Sequence, residues 1–175
     1  MRTGGRNRTR DLRPTTSKVR SALFSMLGPA GVEGLRVLDL YAGTGALGLE
    51  ALRRGAEWAE FVELDHHRCE RIRGEVERLH FADRSRVRQG DAVAVAGRLE
   101  GKFDVVFVDP PYALNPFERL FSRLKDGGVM AESAVAFVEH SSSARLPDEL
   151  PGVRVVQRKI YGDTAVTVYR AGGEA

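Results

Sequence analysis

Between residues 36 and 139 the chain alternates short strand-like runs with helix-patterned stretches, and this alternation limits the possible folds more than any other feature. Strand-like runs fall at 36–41, 59–64, 85–89, 103–108 and 134–139. Helical patterns at 46–54, 66–79, 92–99 and 117–124 separate them, the second carrying Cys69, Ile72, Val76 and Leu79 as one apolar stripe. Strands that are joined by helices line up in parallel and are covered on both faces. The tail is different. Residues 154–161, the turn Gly162-Asp163 and residues 164–170 read as an antiparallel hairpin. The expected fold is α/β: a doubly wound, Rossmann-like, seven-stranded and mostly parallel sheet that ends in an antiparallel hairpin. A helix capped by Thr15, Thr16 or Ser17 should precede it, with Val19, Ala22, Leu23, Met26 and Leu27 on one face and Gly28-Pro29 as its stop. This divides the chain into a basic arm and helix over 1–27 and a single globular domain over 28–175, a normal size for one domain.

The first strand runs into Asp39-Leu40-Tyr41-Ala42-Gly43-Thr44-Gly45-Ala46-Leu47-Gly48. Gly43 and Gly45 permit positive φ and close approach of the backbone to a ligand. Together with Gly48 they match G-x-G-x-x-G, and Glu63, 20 residues after Gly43, ends the second strand where a carboxylate can accept two ribose hydroxyls. The glycines alone fit a dinucleotide equally well. Asp39 tilts the reading, because a carboxylate there repels pyrophosphate but can pair with an ammonium group, such as that of a methionine moiety. Asp91, at the end of the third strand, can accept from an adenine amino group. Each acid could instead cap the following helix, but four acids closing four successive strands are hard to attribute to capping alone.

The fourth strand ends in Asp109-Pro110-Pro111-Tyr112. Proline fixes φ and offers no N–H, so this is a rigid ledge of acceptors. The Asp109 carboxylate and the Pro110 carbonyl can hold the two N–H groups of an exocyclic amine, and Tyr112 can lie flat on the base that carries it. Ligands of open parallel sheets bind at this edge.

Net charge is +3, but residues 1–20 carry seven basic side chains against Asp11 alone, which leaves the remainder at about −3. A basic arm on a mildly acidic body suits phosphate contacts. Arg13, Thr15, Lys18 and Arg20 are the candidates, followed by Arg6, Arg8 and Arg10. Cys69 is the single cysteine, so no internal disulfide forms. With no apolar run of membrane-spanning length and no secretory h-region, a cytoplasmic protein is expected.

Taken together, 39–48, 61–65, 90–92 and 108–112 resemble class I S-adenosylmethionine-dependent methyltransferases that act on an amino nitrogen. Arg13-Pro14-Thr15-Thr16-Ser17-Lys18-Val19-Arg20-Ser21-Ala22-Leu23-Phe24 and Tyr161-Gly162-Asp163-Thr164-Ala165 narrow the resemblance to the bacterial RsmD-type ribosomal RNA (guanine-N2)-methyltransferases. The resemblance implies a class I methyltransferase fold and S-adenosyl-L-methionine held by Asp39, Tyr41, Gly43, Thr44, Gly45, Glu63, Leu64, Asp91, Ala92 and Asp109. It also implies catalysis at Asp109, Pro110, Pro111 and Tyr112, and methylation of 16S rRNA in a small ribosomal subunit or assembly intermediate by a monomer.

Two rivals remain. A DNA adenine or cytosine amino-methyltransferase would use the same ledge, but normally needs a target-recognition region for which 175 residues leave no room. A nicotinamide-dependent oxidoreductase would share the sheet, but would face Asp39 with its pyrophosphate. A catalytically dead RNA-binding relative would not need an intact ledge. Cys69 is expected to be a packed thiol, His66 and His67 carry no metal, Trp58 packs, and the serines at 141–143 form a loop.

Overall fold

The computed structural model describes residues 16–172. Its centre is one sheet of β1 (Arg36–Leu40), β2 (Trp58–Glu63), β3 (Ser85–Gln89), β4 (Phe103–Val108), β5 (Met130–Ser141), β6 (Glu149–Leu150), β7 (Val153–Tyr161) and β8 (Thr164–Ala171), in the order β3-β2-β1-β4-β5-β8-β7-β6. β1 to β5 pair in parallel; β8, β7 and β6 pair antiparallel. All seven expected strands are present, and the two-residue β6 adds an eighth at the edge. β5 is longer than its apolar stretch suggests, because ladder bonds to neighbours extend it at both ends past the run 134–139.

Helices α1 (Ser17–Met26), α2 (Ala46–Arg53), α3 (His66–Arg78), α4 (Ala92–Ala96) and α5 (Phe117–Asp126) cover the sheet. Thr16 caps α1, its Oγ1 accepting from Val19 N at 3.2 Å. The α1 residues Val19, Leu23 and Phe24 are buried with Leu47, Val37, Phe107 and Phe137 on one face. Leu49 and Leu52 of α2 meet Ile72 and Val76 of α3 over Phe61 on that same face. The opposite face holds α4 and α5, where Ala92, Val95, Leu120, Phe121 and Leu124 surround Leu38, Val106, Val138 and Tyr169. α4 is shorter than its sequence pattern because Gly97 ends it. Among the described residues no helix is long and apolar enough to cross a membrane.

Side chains alternate faces along a strand. Asp39, Glu63 and Glu139 therefore share the α1–α3 side with Val37, Phe61 and Phe107, all at the carboxyl edge of the sheet.

Candidate active site

The loop from β1 to α2 is held in a shape that few residues tolerate. Tyr41 has φ 58° and Gly43 φ 60°, and Gly45, which precedes α2, has φ 77°. A left-handed tyrosine is uncommon and costs backbone energy. Gly48 serves a different need: a methyl group there would run into the Phe61 ring, so its role is close contact of α2 with β2.

Asp39 is 2% exposed, and its Oδ2 accepts from Gly48 N at 3.0 Å inside the first turn of α2. Burial raises its pKa to about 8; the Gly48 bond opposes this, and the nearby Asp109 and Glu63 carboxylates add to it. Three acids thus converge on one spot.

Glu63 is buried at the end of β2. Its Oε1 accepts from Gly43 N at 2.9 Å and its Oε2 from Asp65 N at 2.7 Å, which ties the glycine loop to the β2–α3 turn. A carboxylate has about four lone-pair sites, so each oxygen can accept again. The cap of α3 is Asp65, not Glu63: its Oδ1 accepts from Arg68 N at 2.9 Å. Asp91 does cap α4, its Oδ2 accepting from Ala94 N at 3.0 Å, and it is exposed at the sheet edge. The half-buried Tyr41 phenol lies near it. Burial and the Asp91 charge push the phenol pKa up to about 12. Thr44 and Leu64 are exposed beside this edge, Leu64 at 68%, while Ala92 is buried.

β4 lies between β1 and β5, so the ledge at its end is beside the acids. Asp109 and Pro111 are half-buried and Pro110 is buried. Leu114 N donates to Pro111 O at 2.9 Å, closing a turn beneath Tyr112. The Tyr112 ring is 51% exposed, and its hydroxyl lies 2.8 Å from Thr164 Oγ1 at the start of β8. A cavity of about 230 Å³ opens next to it, with Pro110, Pro111 and Tyr112 on one side and Glu139, His140 and Arg145 on the other. His140 is held by ring contacts to Thr167 Oγ1 at 2.8 Å and Ser141 O at 2.9 Å. Burial lowers its pKa, which favours the neutral ring.

The structure brings together Asp39, Gly43, Glu63, Asp109 and the ledge, with Tyr41 just past the end of β1 and Asp91 past the end of β3, one strand beyond Glu63. Lys18 is exposed and Arg20 half-exposed in the first turn of α1; Arg13 and Thr15 lie outside the described residues. Cys69 is buried and donates to Glu63 O at 3.3 Å, as a packed thiol would. His66 contacts the Gln89 side chain, and no metal-binding group occurs among the described residues. Sequence reading missed Glu139, His140 and Thr164. Glu139 carried a readable signal, since it too is an acid at the end of an apolar strand. Thr164 lies in the hairpin motif 161–165, but nothing local gives it a role, because its partner is 52 residues away.

A family profile described as conserved hypothetical protein 95 matches residues 6–170. The chain is 34% identical to the Escherichia coli (strain K12) protein named ribosomal RNA small subunit methyltransferase D over 166 residues, covering 94% of this chain and 83% of that one. The protein of the same name from Haemophilus influenzae is 32% identical over 131 residues, 73% of this chain and 67% of that one. A solved structure of a conserved hypothetical protein from Streptococcus pyogenes superposes with a TM-score of 0.81 at 34% identity, covering 89% of this chain and 96% of that one.

Proposed function

The chain belongs to the RsmD-type family described as conserved hypothetical protein 95, and on that premise we propose that it transfers a methyl group from S-adenosyl-L-methionine to the exocyclic N2 of a guanine in 16S rRNA. The observation that carries this reading is the meeting of Asp39, Glu63 and Asp109 beside the Pro110–Tyr112 ledge. The Asp109 and Glu63 carboxylates add to the burial that raises the Asp39 pKa. They suit a ligand with cationic groups, and S-adenosylmethionine carries a sulfonium and an ammonium. A dinucleotide pyrophosphate would be repelled there.

The donor supplies a methyl carbon already activated by the sulfonium, so no covalent enzyme intermediate is needed. The work of the chain is positioning. Glu63 accepts the ribose hydroxyls while its backbone bonds hold the glycine loop in register. Asp39 pairs with the ammonium, and Asp91, with Tyr41, Thr44, Leu64 and Ala92 around it, frames the adenine. The target base is turned out of its stack, enters the cavity and stacks on Tyr112. A volume of about 230 Å³ lies below the range typical of drug-sized ligands, in keeping with one base. Asp109 and the Pro110 carbonyl accept the two amine N–H groups and aim the nitrogen lone pair at the methyl. Asp109 also stabilises the positive charge that grows on that nitrogen as it displaces the thioether, until one N–H proton passes to solvent. Lys18 and Arg20, with Arg13 and Thr15 ahead of them, take RNA phosphates of a small subunit or assembly intermediate.

The test is methylation of small subunits, naked 16S rRNA and duplex DNA in parallel, with the product nucleoside mapped. N2-methylguanosine in the ribosomal substrate is expected, and Asp109→Ala should cut turnover on the order of 10²-fold even at saturating donor. Methylated adenine or cytosine in DNA, or a fully active Asp109→Ala enzyme, overturns the proposal.

A further inference from the structure

The hairpin residues 161–165 belong to the sequence signature, yet methyl transfer as proposed gives them nothing to do. We infer that Thr164 is a positioning residue for the target base: its hydroxyl holds the Tyr112 ring at the angle the base must meet. This rests on the reading that Tyr112 stacks on that base.

The two partners differ in rigidity. Tyr112 is on the connection between β4 and α5, half-exposed, one residue past two prolines. The prolines fix the backbone before it but do not themselves set its χ1 and χ2. A hydrogen bond at the far end of the ring restricts which rotamer it presents to the cavity that Tyr112 lines. Thr164 sits on a fixed frame. It pairs with Ser141 of β5 on one side and with Tyr161 of β7 on the other. Gly162, at φ 62°, makes the turn that starts β8, and Ser142 N donates to Asp163 O at 2.9 Å, pinning that turn to the loop after β5. Thr is β-branched and stiff at χ1, so its Oγ1 is a well-placed anchor at 2.8 Å from the Tyr112 hydroxyl. The bond spans 52 positions and links the ledge to the antiparallel end of the sheet. Residues 139–141 of β5, which line the far side of the cavity, belong to the same frame. Through Thr164 both walls of the base pocket are referenced to one rigid element.

The effect is one of orientation, so it belongs to RNA turnover and not to donor binding. A neutral hydrogen bond has a net worth corresponding to about three- to tenfold. Thr164→Val keeps the shape and the β-branch but removes the hydroxyl. Tyr112→Phe keeps the ring and removes the other half of the bond. Each should lower kcat/KM for the ribosomal substrate by about three- to tenfold, and the double variant should lose no more than either single one. Thr164→Ser should return to within about twofold of the parent. Donor affinity by calorimetry should stay at the parent value in all of them, and the melting midpoint should fall by no more than about 6 °C, the share of one neutral hydrogen bond.

Additive losses in the double variant refute the inference, as does a Thr164→Val loss that travels with weaker donor binding or with a melting midpoint lowered by more than about 6 °C. Tyr112→Ala separates the two levels. If it is impaired while Thr164→Val matches the parent, the positioning role fails and stacking stands. If Tyr112→Ala itself matches the parent, the stacking reading fails and the positioning role falls with it.

Discussion

Replacing Asp39 by Asn should make the protein more stable and a poorer binder of its methyl donor. The Asp39 carboxyl is 2% exposed and its pKa is raised from 3.8 to about 8, chiefly by burial. A carboxyl whose folded-state pKa exceeds its unfolded value costs stability wherever the unfolded chain would ionise it. The cost is absent below pH about 4, grows between about 4 and 8, and is constant above that. At pH 7, about three units above the unfolded value, 1.36 kcal/mol per unit gives a ceiling of about 4 kcal/mol. Asn keeps an oxygen for the Gly48 N–H, but its own N–H₂ needs a partner and returns part of that gain. A net gain of about 1–2 kcal/mol remains, which raises the melting midpoint by about 3–6 °C in a domain of this size. Donor binding should respond the other way. At pH 7 the cofactor-free carboxyl is mostly protonated, so pairing with an ammonium expels close to one proton. Calorimetry in buffers of different protonation enthalpy should count that proton at pH 7, fewer above pH 9, and none for Asp39→Asn, whose affinity should fall about tenfold or more, as for removal of a charged hydrogen bond. If the variant melts lower at pH 7 and binds the donor as the parent does, Asp39 is only a cap for α2 and the reasoning is wrong.

Gly48→Ala should destabilise by about 1–3 kcal/mol, the usual cost of overpacking, because its methyl meets the Phe61 ring; an unchanged melting midpoint would contradict that close approach. Glu63→Ala removes the acceptor of Gly43 N and Asp65 N as well as the ribose acceptor, so the donor dissociation constant should rise about tenfold or more, on the scale of one charged hydrogen bond, as read by calorimetry. Lys18→Ala with Arg20→Ala should flatten the slope of log K for RNA against log salt by roughly 0.7–0.9 for each phosphate that is no longer neutralised; equal slopes would make both residues structural.

The fold was legible because its signals are local. Strand and helix periodicity, glycine at each sharp turn and an acid after each apolar run can be read within windows of about ten residues. Asp39, Glu63, Asp91 and Asp109 were found in that way, and Glu139 obeys the same pattern. The role each acid plays was not legible. Asp65 and Asp91 cap helices, whereas Asp39 and Glu63 reach past the nearest turn to Gly48 and Gly43. The extra strand β6 exists because the β7 edge was open to a two-residue neighbour, not because Glu149–Leu150 reads as a strand.

Sequence by itself determined the order and type of the elements, the glycine loop after β1 and the Asp-Pro-Pro-Tyr ledge after β4, since each depends on neighbours in the chain. Tertiary structure alone decided that burial raises the Asp39 pKa, that Glu139 and His140 wall the cavity beside the ledge and that Thr164 meets Tyr112. Those outcomes depend on burial and on register between strands far apart in sequence, and neither is encoded in any one segment.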